Sequence, residues 1–308
     1  MDSICAVHEQ FVRFKALDGF PLSGSIYSTC DSPFARHIAV FNCGGGIAAA
    51  KYRYFLRFLA SKGIPTFAYD YRGVGDSAPS KRREFDAGIE DWAERDQPAA
   101  IAFARDQFPK AGITSISHSI GGLVATASPN ASLLENLVLI APHTGYWGDY
   151  RQPWRWPMAA FWHLLMPVTA YCLGYFPAKA LRVGDDFPRR MALQWSARTA
   201  GPFKYGAYGG NAVREYQAVD SMSTVKGKAL VLSAYDDAFA SDRAIRRFLM
   251  GVPSIQSVRR EIGSAPGPRI GHWGFFRRRN SQHWVIVSEF IKTSAPRMAL
   301  DPEWTEQQ

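Results

Sequence analysis

Ser117-His118-Ser119-Ile120-Gly121-Gly122 follows the apolar, β-type run Ile113-Thr114-Ser115-Ile116 and opens onto the helix-like segment Gly122-Leu123-Val124-Ala125-Thr126-Ala127-Ser128. A serine on a sharp strand-to-helix turn, with small residues two before and two after it, is the pattern of a nucleophile elbow. Such a turn forces its central residue into a strained backbone conformation and lifts the Oγ out of the sheet. Ser117 and Gly121 must be small so that the helix can approach the strand. The usual residue at the first of these positions is glycine; Ser117 keeps the small size but adds a Cβ.

Working outward, strand-like and helix-like segments alternate. Phe11–Phe14 and Leu22–Tyr27 alternate like a hairpin around the turn Asp18-Gly19. His37–Phe41 reads as a buried strand, followed by Asn42-Cys43-Gly44-Gly45-Gly46. Lys51–Lys62 has helical apolar spacing and stops at Gly63, a residue tolerant of positive φ. Pro65–Tyr69 is the next strand, and Glu84–Phe108 reads as helix in two pieces broken near Pro98. After the elbow comes the strand Leu137–Ala141. The alternation then halts from Pro142 to about Lys226, a region holding five of the nine tryptophans (Trp147, Trp154, Trp156, Trp162 and Trp195). It resumes with the strand Ala229–Ser233, the helix Asp242–Met250, the strand Ser257–Ile262 and a last helix near Ser281–Thr293. This order predicts an α/β fold with a mainly parallel sheet covered by helices on both faces. Residues 1–141 and 227–295 form the core, 142–226 an inserted helical cap, and 296–308 a frayed tail. The aromatic segment should form a lid over the serine.

An activated serine needs a base within hydrogen-bond reach, and the base needs an orienting acid. Asp236 and Asp237 follow the strand that resumes the core, where active-site loops gather; Asp237, before Ala238-Phe239-Ala240, is the favoured acid and Asp236 its competitor. Of seven histidines, only His272 and His283 follow these acids, and only His272 lies on a glycine-bounded loop, Ile270-Gly271-His272-Trp273-Gly274. His118 neighbours the serine, and His143 and His163 fall in the expected cap. A tetrahedral intermediate would need preorganised donors: the backbone N–H of Ile120, and one from the glycine loop, with Gly44 preferred and Gly45 close behind. No Gly-Lys-Ser/Thr follows those glycines, so the loop does not read as a nucleotide-binding one. Cys43 has no assigned base and reads as a small structural residue.

These residues resemble the α/β-hydrolase superfamily over about His37 to Ile291. Asp70-Tyr71-Arg72-Gly73-Val74-Gly75-Asp76-Ser77 looks like the D-x-R-G-x-G-x-S turn common there, with a structural role. More narrowly, Gly145-Tyr146-Trp147, Gly184-Asp185-Asp186-Phe187-Pro188, Gln194-Trp195 and Ile270–Phe276 are similar to an uncharacterised bacterial branch of hydrolases, related to serine-aminopeptidase-like and lysophospholipase-like members. The resemblance implies a triad of Ser119, Asp237 and His272 in the chain order of the superfamily, and fixes no substrate.

The chain has 308 residues, 47% of them hydrophobic, enough to bury a large core. Its formal charge of +9 is spread out, with the densest cluster at Arg277-Arg278-Arg279. No nucleic-acid-binding motif accompanies it. Cys5, Cys30, Cys43 and Cys172 lack metal-type pairing and are expected to be free thiols. No carboxylate and histidine cluster has metal-ligand spacing, and no cofactor is expected. The N-terminus lacks the basic start and apolar core of a signal peptide, so a cytoplasmic location is expected. Trp156–Phe176 is of membrane-span length but carries Pro157, Pro167 and Gly174; a greasy cap or a membrane-touching surface is the expectation, not a stable span. The function expected is a serine hydrolase acting on an apolar ester or thioester. Acyl transfer by the same residues and a non-catalytic binding module of the same fold are the alternatives.

Overall fold

The strands that read as unbroken apolar runs are those buried on both faces. In the computed structural model, which describes residues 6–30, 32, 35–198, 222 and 224–294, β3 (His37–Asn42), β4 (Thr66–Tyr69), β5 (Gly112–His118) and β6 (Leu134–Ile140) are almost wholly buried. They form the middle of an eight-stranded sheet with β1 (His8–Lys15), β2 (Pro21–Ser28), β9 (Gly227–Ala234) and β10 (Ile255–Ile262). Its order is β1-β2-β4-β3-β5-β6-β9-β10. Pairing from β4 through β10 is parallel, and β1 and β2 join antiparallel at one edge. The edge strands β1 and β10 alternate or expose most residues, and β10 carries Arg259 and Arg260, as an edge exposed to solvent should.

Parallel neighbours need crossovers, and the helices cover both faces. Arg53–Ser61 buries Phe55, Leu56 and Leu59, and its stop is Gly63 at φ 77°. Phe55 and Phe58 meet Trp284, which leads into the final helix Val285–Ser294. On the other face Phe248, from the helix Asp242–Met250, packs against Gly122 of the helix Gly121–Thr126. The Ser241 hydroxyl caps Asp242–Met250 by accepting from the Ala244 N–H.

The expected break near Pro98 takes another form. Helix runs from Ile89 to Gln107, with a π-turn at Trp92–Asp96 just before Pro98. Proline has no N–H to donate back along the helix, and widening the preceding turn absorbs the missing bond without breaking the axis. His283 likewise lies in a 3-10 turn ahead of the last helix, not within it.

Between β6 and β9 the chain is helical over Arg155–Ala160, a π-turn at Phe161–Leu165 and Met166–Leu173, ending at Gly174 with φ 78°. A small antiparallel hairpin, β7 (Tyr175–Phe176) and β8 (Phe187–Pro188), and the helix Arg189–Ser196 follow. Within the expected 142–226 cap, residues 199–221 and 223 lie outside the described residues, as does the 296–308 tail. Among the described residues no helix is long and apolar enough to cross a membrane. Cys43 and Cys172 are free, but Cys30 is disulfide-bonded. The expectation of four free thiols therefore fails at Cys30, a pairing that spacing along the chain cannot reveal.

Candidate active site

The carboxyl ends of β3, β5, β6, β9 and β10 converge on one edge of the sheet, and each sends a loop to the same point. β5 ends at His118, and Ser119 turns the chain at φ 56°. Its N–H donates to the Ile140 carbonyl at 2.9 Å, and helix resumes at Gly121. A Cβ at Gly121 would lie 2.4 Å from the Asn42 carbonyl oxygen, so glycine is obligatory there. Ser117 tolerates its Cβ: it is buried, with its hydroxyl 3.0 Å from that of Ser115.

Ser119 Oγ lies 3.0 Å from Nε2 of His272, and His272 Nδ1 lies 2.8 Å from Asp237 Oδ2. The other Asp237 oxygen accepts the N–H groups of Phe239 and Ala240 at 2.8 and 3.0 Å. Burial raises the pKa of this carboxyl, but His272 and the two N–H donors outweigh it and bring it down to about 2. Asp236 has a different part: it accepts the N–H groups of Ile270 and Gly271, at 3.1 and 2.8 Å, and so holds the loop that presents His272. Gly271, at φ 62°, bends that loop.

A second imidazole, unforeseen, completes the surroundings of the serine. His143 Nε2 lies 2.9 Å from Ser119 Oγ. Its Nδ1 accepts the Gly145 N–H at 2.9 Å, which leaves the ring proton on Nε2. Burial, with His272 adding to it, drives the His143 pKa well below the usual value, so the ring is a neutral donor. Ser119 Oγ therefore accepts from His143 and donates to His272. The signal was present in the sequence, since His143 stands just beyond the carboxyl end of β6. The chain order serine, acid, histidine set it aside. Ala141, at φ 52°, turns the backbone toward the site.

His118 faces the opposite way from Ser119. Its Nδ1 is 2.9 Å from the Tyr52 hydroxyl, and its Nε2 is 3.0 Å from the carbonyl oxygen of His272. The carbonyl can only accept, so Nε2 carries the proton and Nδ1 accepts from Tyr52. Burial lowers the His118 pKa to about 3, with the charge on His272 contributing. Tyr52 in turn accepts the Gly44 N–H at 2.8 Å. The N–H of Gly44, the donor the sequence favours, is thus bonded to Tyr52. Gly45 lines the cavity beside Ser119 instead, under the Trp195 ring, which a Cβ on Gly45 would strike at 2.3 Å. The N–H groups of Gly45 and Ile120 find no acceptor among the described residues.

The D-x-R-G-x-G-x-S turn supports this loop from below. Asp70 Oδ1 accepts the Ala49 N–H at 2.7 Å and Oδ2 accepts that of Asp76 at 2.8 Å. Arg72 bridges Asp96 and Asp18. From the inserted segment, Asp185 accepts the Ala48 N–H at 2.9 Å and pairs with Lys51.

Ser119, His143 and His272 open into a cavity of about 300 Å³. The segment between β6 and β9 supplies most of its wall, including Met158, Phe161, Trp162, Met166, Phe187 and Trp195, and among the described residues no Asp, Glu, Lys or Arg lines it. Among the described residues no group of His, Cys, Asp or Glu is placed to hold a metal ion.

Comparison with known proteins agrees with the architecture. The model of the alpha/beta hydrolase family matches residues 40–288. No curated protein matches the chain. Solved structures with a similar fold include an esterase of Pyrococcus furiosus (14% identity, TM-score 0.60, covering 94% of this chain and 92% of that one). An alpha/beta hydrolase of Penicillium sp. sh18 is similar at 14% identity and TM-score 0.60, covering 94% and 99%. The acylaminoacyl peptidase of Pyrococcus horikoshii is similar at 15% identity and TM-score 0.58, covering 95% of this chain and 42% of that one.

Proposed function

Because the chain belongs to the alpha/beta hydrolase family, we propose that it is a serine hydrolase that cleaves an ester or thioester of an apolar acyl group through an acyl-enzyme. The observation that carries this reading is the hydrogen-bonded series Ser119–His272–Asp237 at the floor of an apolar cavity. Ser119 Oγ attacks the carbonyl carbon as His272 Nε2 takes its proton. Asp237 holds the imidazole in the tautomer that leaves Nε2 free to accept, and stabilises the imidazolium that forms. His272 then returns the proton to the leaving oxygen or sulfur, and a water activated by the same nitrogen releases the acid. The free N–H groups of Ile120 and Gly45 are the oxyanion donors in this scheme. His143, donating to one lone pair of Oγ, positions the hydroxyl so that its proton points at His272.

The wall of the cavity favours an acyl chain over a peptide. A peptide amino terminus would need a carboxylate in the cavity wall, and among the described residues the lining has none. Each methylene buried there contributes about 0.8 kcal/mol, so kcat/KM should rise by about an order of magnitude per two-carbon step until the cavity fills. In this reading the inserted segment acts as a lid. The tests are labelling by a fluorophosphonate probe and turnover of p-nitrophenyl esters and acyl-CoA thioesters of increasing length. Labelling lost in Ser119→Ala, with a rising length profile, supports the assignment. Labelling that survives Ser119→Ala overturns the nucleophile, and a flat profile overturns the apolar-chain reading.

A further inference from the structure

The helical run from Arg155 to Leu173 is apolar on two sides. Its inner side, Met158, Phe161, Trp162 and Met166, lines the cavity. Its outer side is exposed and equally apolar: Trp156 and Leu164 are each 64% exposed and Val168 50%, with Leu165, Tyr171 and Leu173 beside them. A helix that is hydrophobic all round belongs in an apolar surrounding on every side, and an exposed patch of this kind marks a docking surface. The charges that this stretch of sequence itself carries are all positive, with Lys179 paired to Asp185 just beyond it. From Tyr150 to Gly184 the sequence has no Asp or Glu; its formal charges are Arg151, Arg155, Lys179 and Arg182. Arg83 joins them at the far end of the helix, with its guanidinium bonded to the Cys172 carbonyl. The outer face of the helix itself carries no formal charge between Trp156 and Ala178.

We propose that this outer face docks on an anionic lipid bilayer, with Trp154, Trp156, Leu164 and Val168 entering the acyl boundary and the flanking arginines meeting lipid headgroups. A cationic rim around an apolar face complements a negatively charged membrane surface; each such cation near the surface adds to the attraction. Tryptophans at one end of the apolar face suit the depth of the headgroup region. The helix is therefore shared by two apolar media, bilayer outside and cavity inside. If the chain is an acyl hydrolase, as proposed above, its substrate is supplied by the lipid phase through that helix.

Sedimentation with vesicles tests the docking on the full chain, using phosphatidylcholine alone and phosphatidylcholine with phosphatidylserine. The protein should pellet with the anionic vesicles and remain largely in solution with the neutral ones. Trp156→Ser/Leu164→Ser/Val168→Ser should weaken the anionic binding by about tenfold or more, and Arg151→Gln/Arg182→Gln should weaken it and lessen its salt dependence. None of these side chains lines the cavity, so turnover of a short water-soluble ester should persist. Ser119→Ala should pellet like the unaltered chain, which separates failure of the docking from failure of the hydrolase reading. A protein that stays in solution with anionic vesicles overturns the proposal. So does a self-associated form in ultracentrifugation that the apolar triple variant dissociates, since a second copy would then own the face.

Discussion

His118 Nε2 donates to the carbonyl oxygen of His272 across 3.0 Å, while His118 Nδ1 takes a hydrogen bond from Tyr52, which holds Gly44. The residue beside Ser119 thus ties the loop that carries His272 to the glycine loop after β3. Both loops come from distant parts of the chain, and one neutral imidazole fixes their separation.

Removing the Tyr52 hydroxyl should loosen that link without touching substrate. Tyr52→Phe leaves the Gly44 N–H and His118 Nδ1 unpaired in a buried place, at a cost of roughly 1–3 kcal/mol of stability. We expect kcat to fall about tenfold with little change in KM, since misplacing donors by a fraction of an ångström acts on the transition state. Steady-state kinetics and denaturant unfolding on the same variant check both.

His143 makes a separable claim. His143→Phe should lower kcat by about tenfold to a hundredfold while leaving KM near its original value, because it removes a hydrogen bond that orients Oγ but no contact with the acyl chain. His143→Gln, whose amide can still donate to Oγ, should recover part of the loss. A merely structural histidine would show no such recovery in kcat at equal thermal stability.

The neighbouring aspartates should part company by mechanism. Asp237→Asn leaves the imidazole free to adopt the wrong tautomer and should cost about a factor of 10⁴ in kcat. Asp236→Asn weakens the grip on the Ile270 and Gly271 N–H groups and should act mainly on stability, by about 1 kcal/mol. Measured kcat and unfolding midpoints for both variants decide between the roles.

Acid should reveal the buried imidazole. The folded-state pKa of His118 is about 3, below its unfolded value of 6.5, so the unfolded chain binds the extra proton between those pH values. Its contribution to stability is therefore complete above pH 6.5 and is lost as pH falls toward 3, at about 1.4 kcal/mol per pH unit. Asp70 and Asp96 have the opposite sign, because burial raises their carboxyls to about 6 and about 7. The whole-protein profile mixes these slopes, so the expectation is placed on a difference. The stability gap between the unaltered chain and His118→Gln should narrow steadily from pH 6.5 to pH 4.5 in denaturant titrations.

The middle of the sheet was legible in the sequence because β3, β4, β5 and β6 are buried on both faces and so read as apolar runs, and all eight expected segments are strands of the one sheet. Ser119, Asp237 and His272 were legible because each stands where a strand ends and a loop turns, and the structure brings the three side chains together. What escaped was pairing across space. Nothing local to Gly44 says that Tyr52 takes its N–H, eight residues on. Nothing local to His143 says that Gly145 fixes its tautomer and aims it at Ser119. The widened turn before Pro98 escaped for a similar reason: the sequence shows a missing donor, and several backbone adjustments can absorb one.

The backbone of Ser119 has a last consequence, for the history of the sequence. At φ 56° every residue with a Cβ sits in a left-handed conformation that costs roughly 1–2 kcal/mol, and only glycine escapes that cost. A drift to glycine at this position would make the chain fold more firmly and remove the hydroxyl on which the proposed reaction depends. Selection for stability and selection for chemistry pull Ser119 in opposite directions, and the serine there records which of the two prevailed.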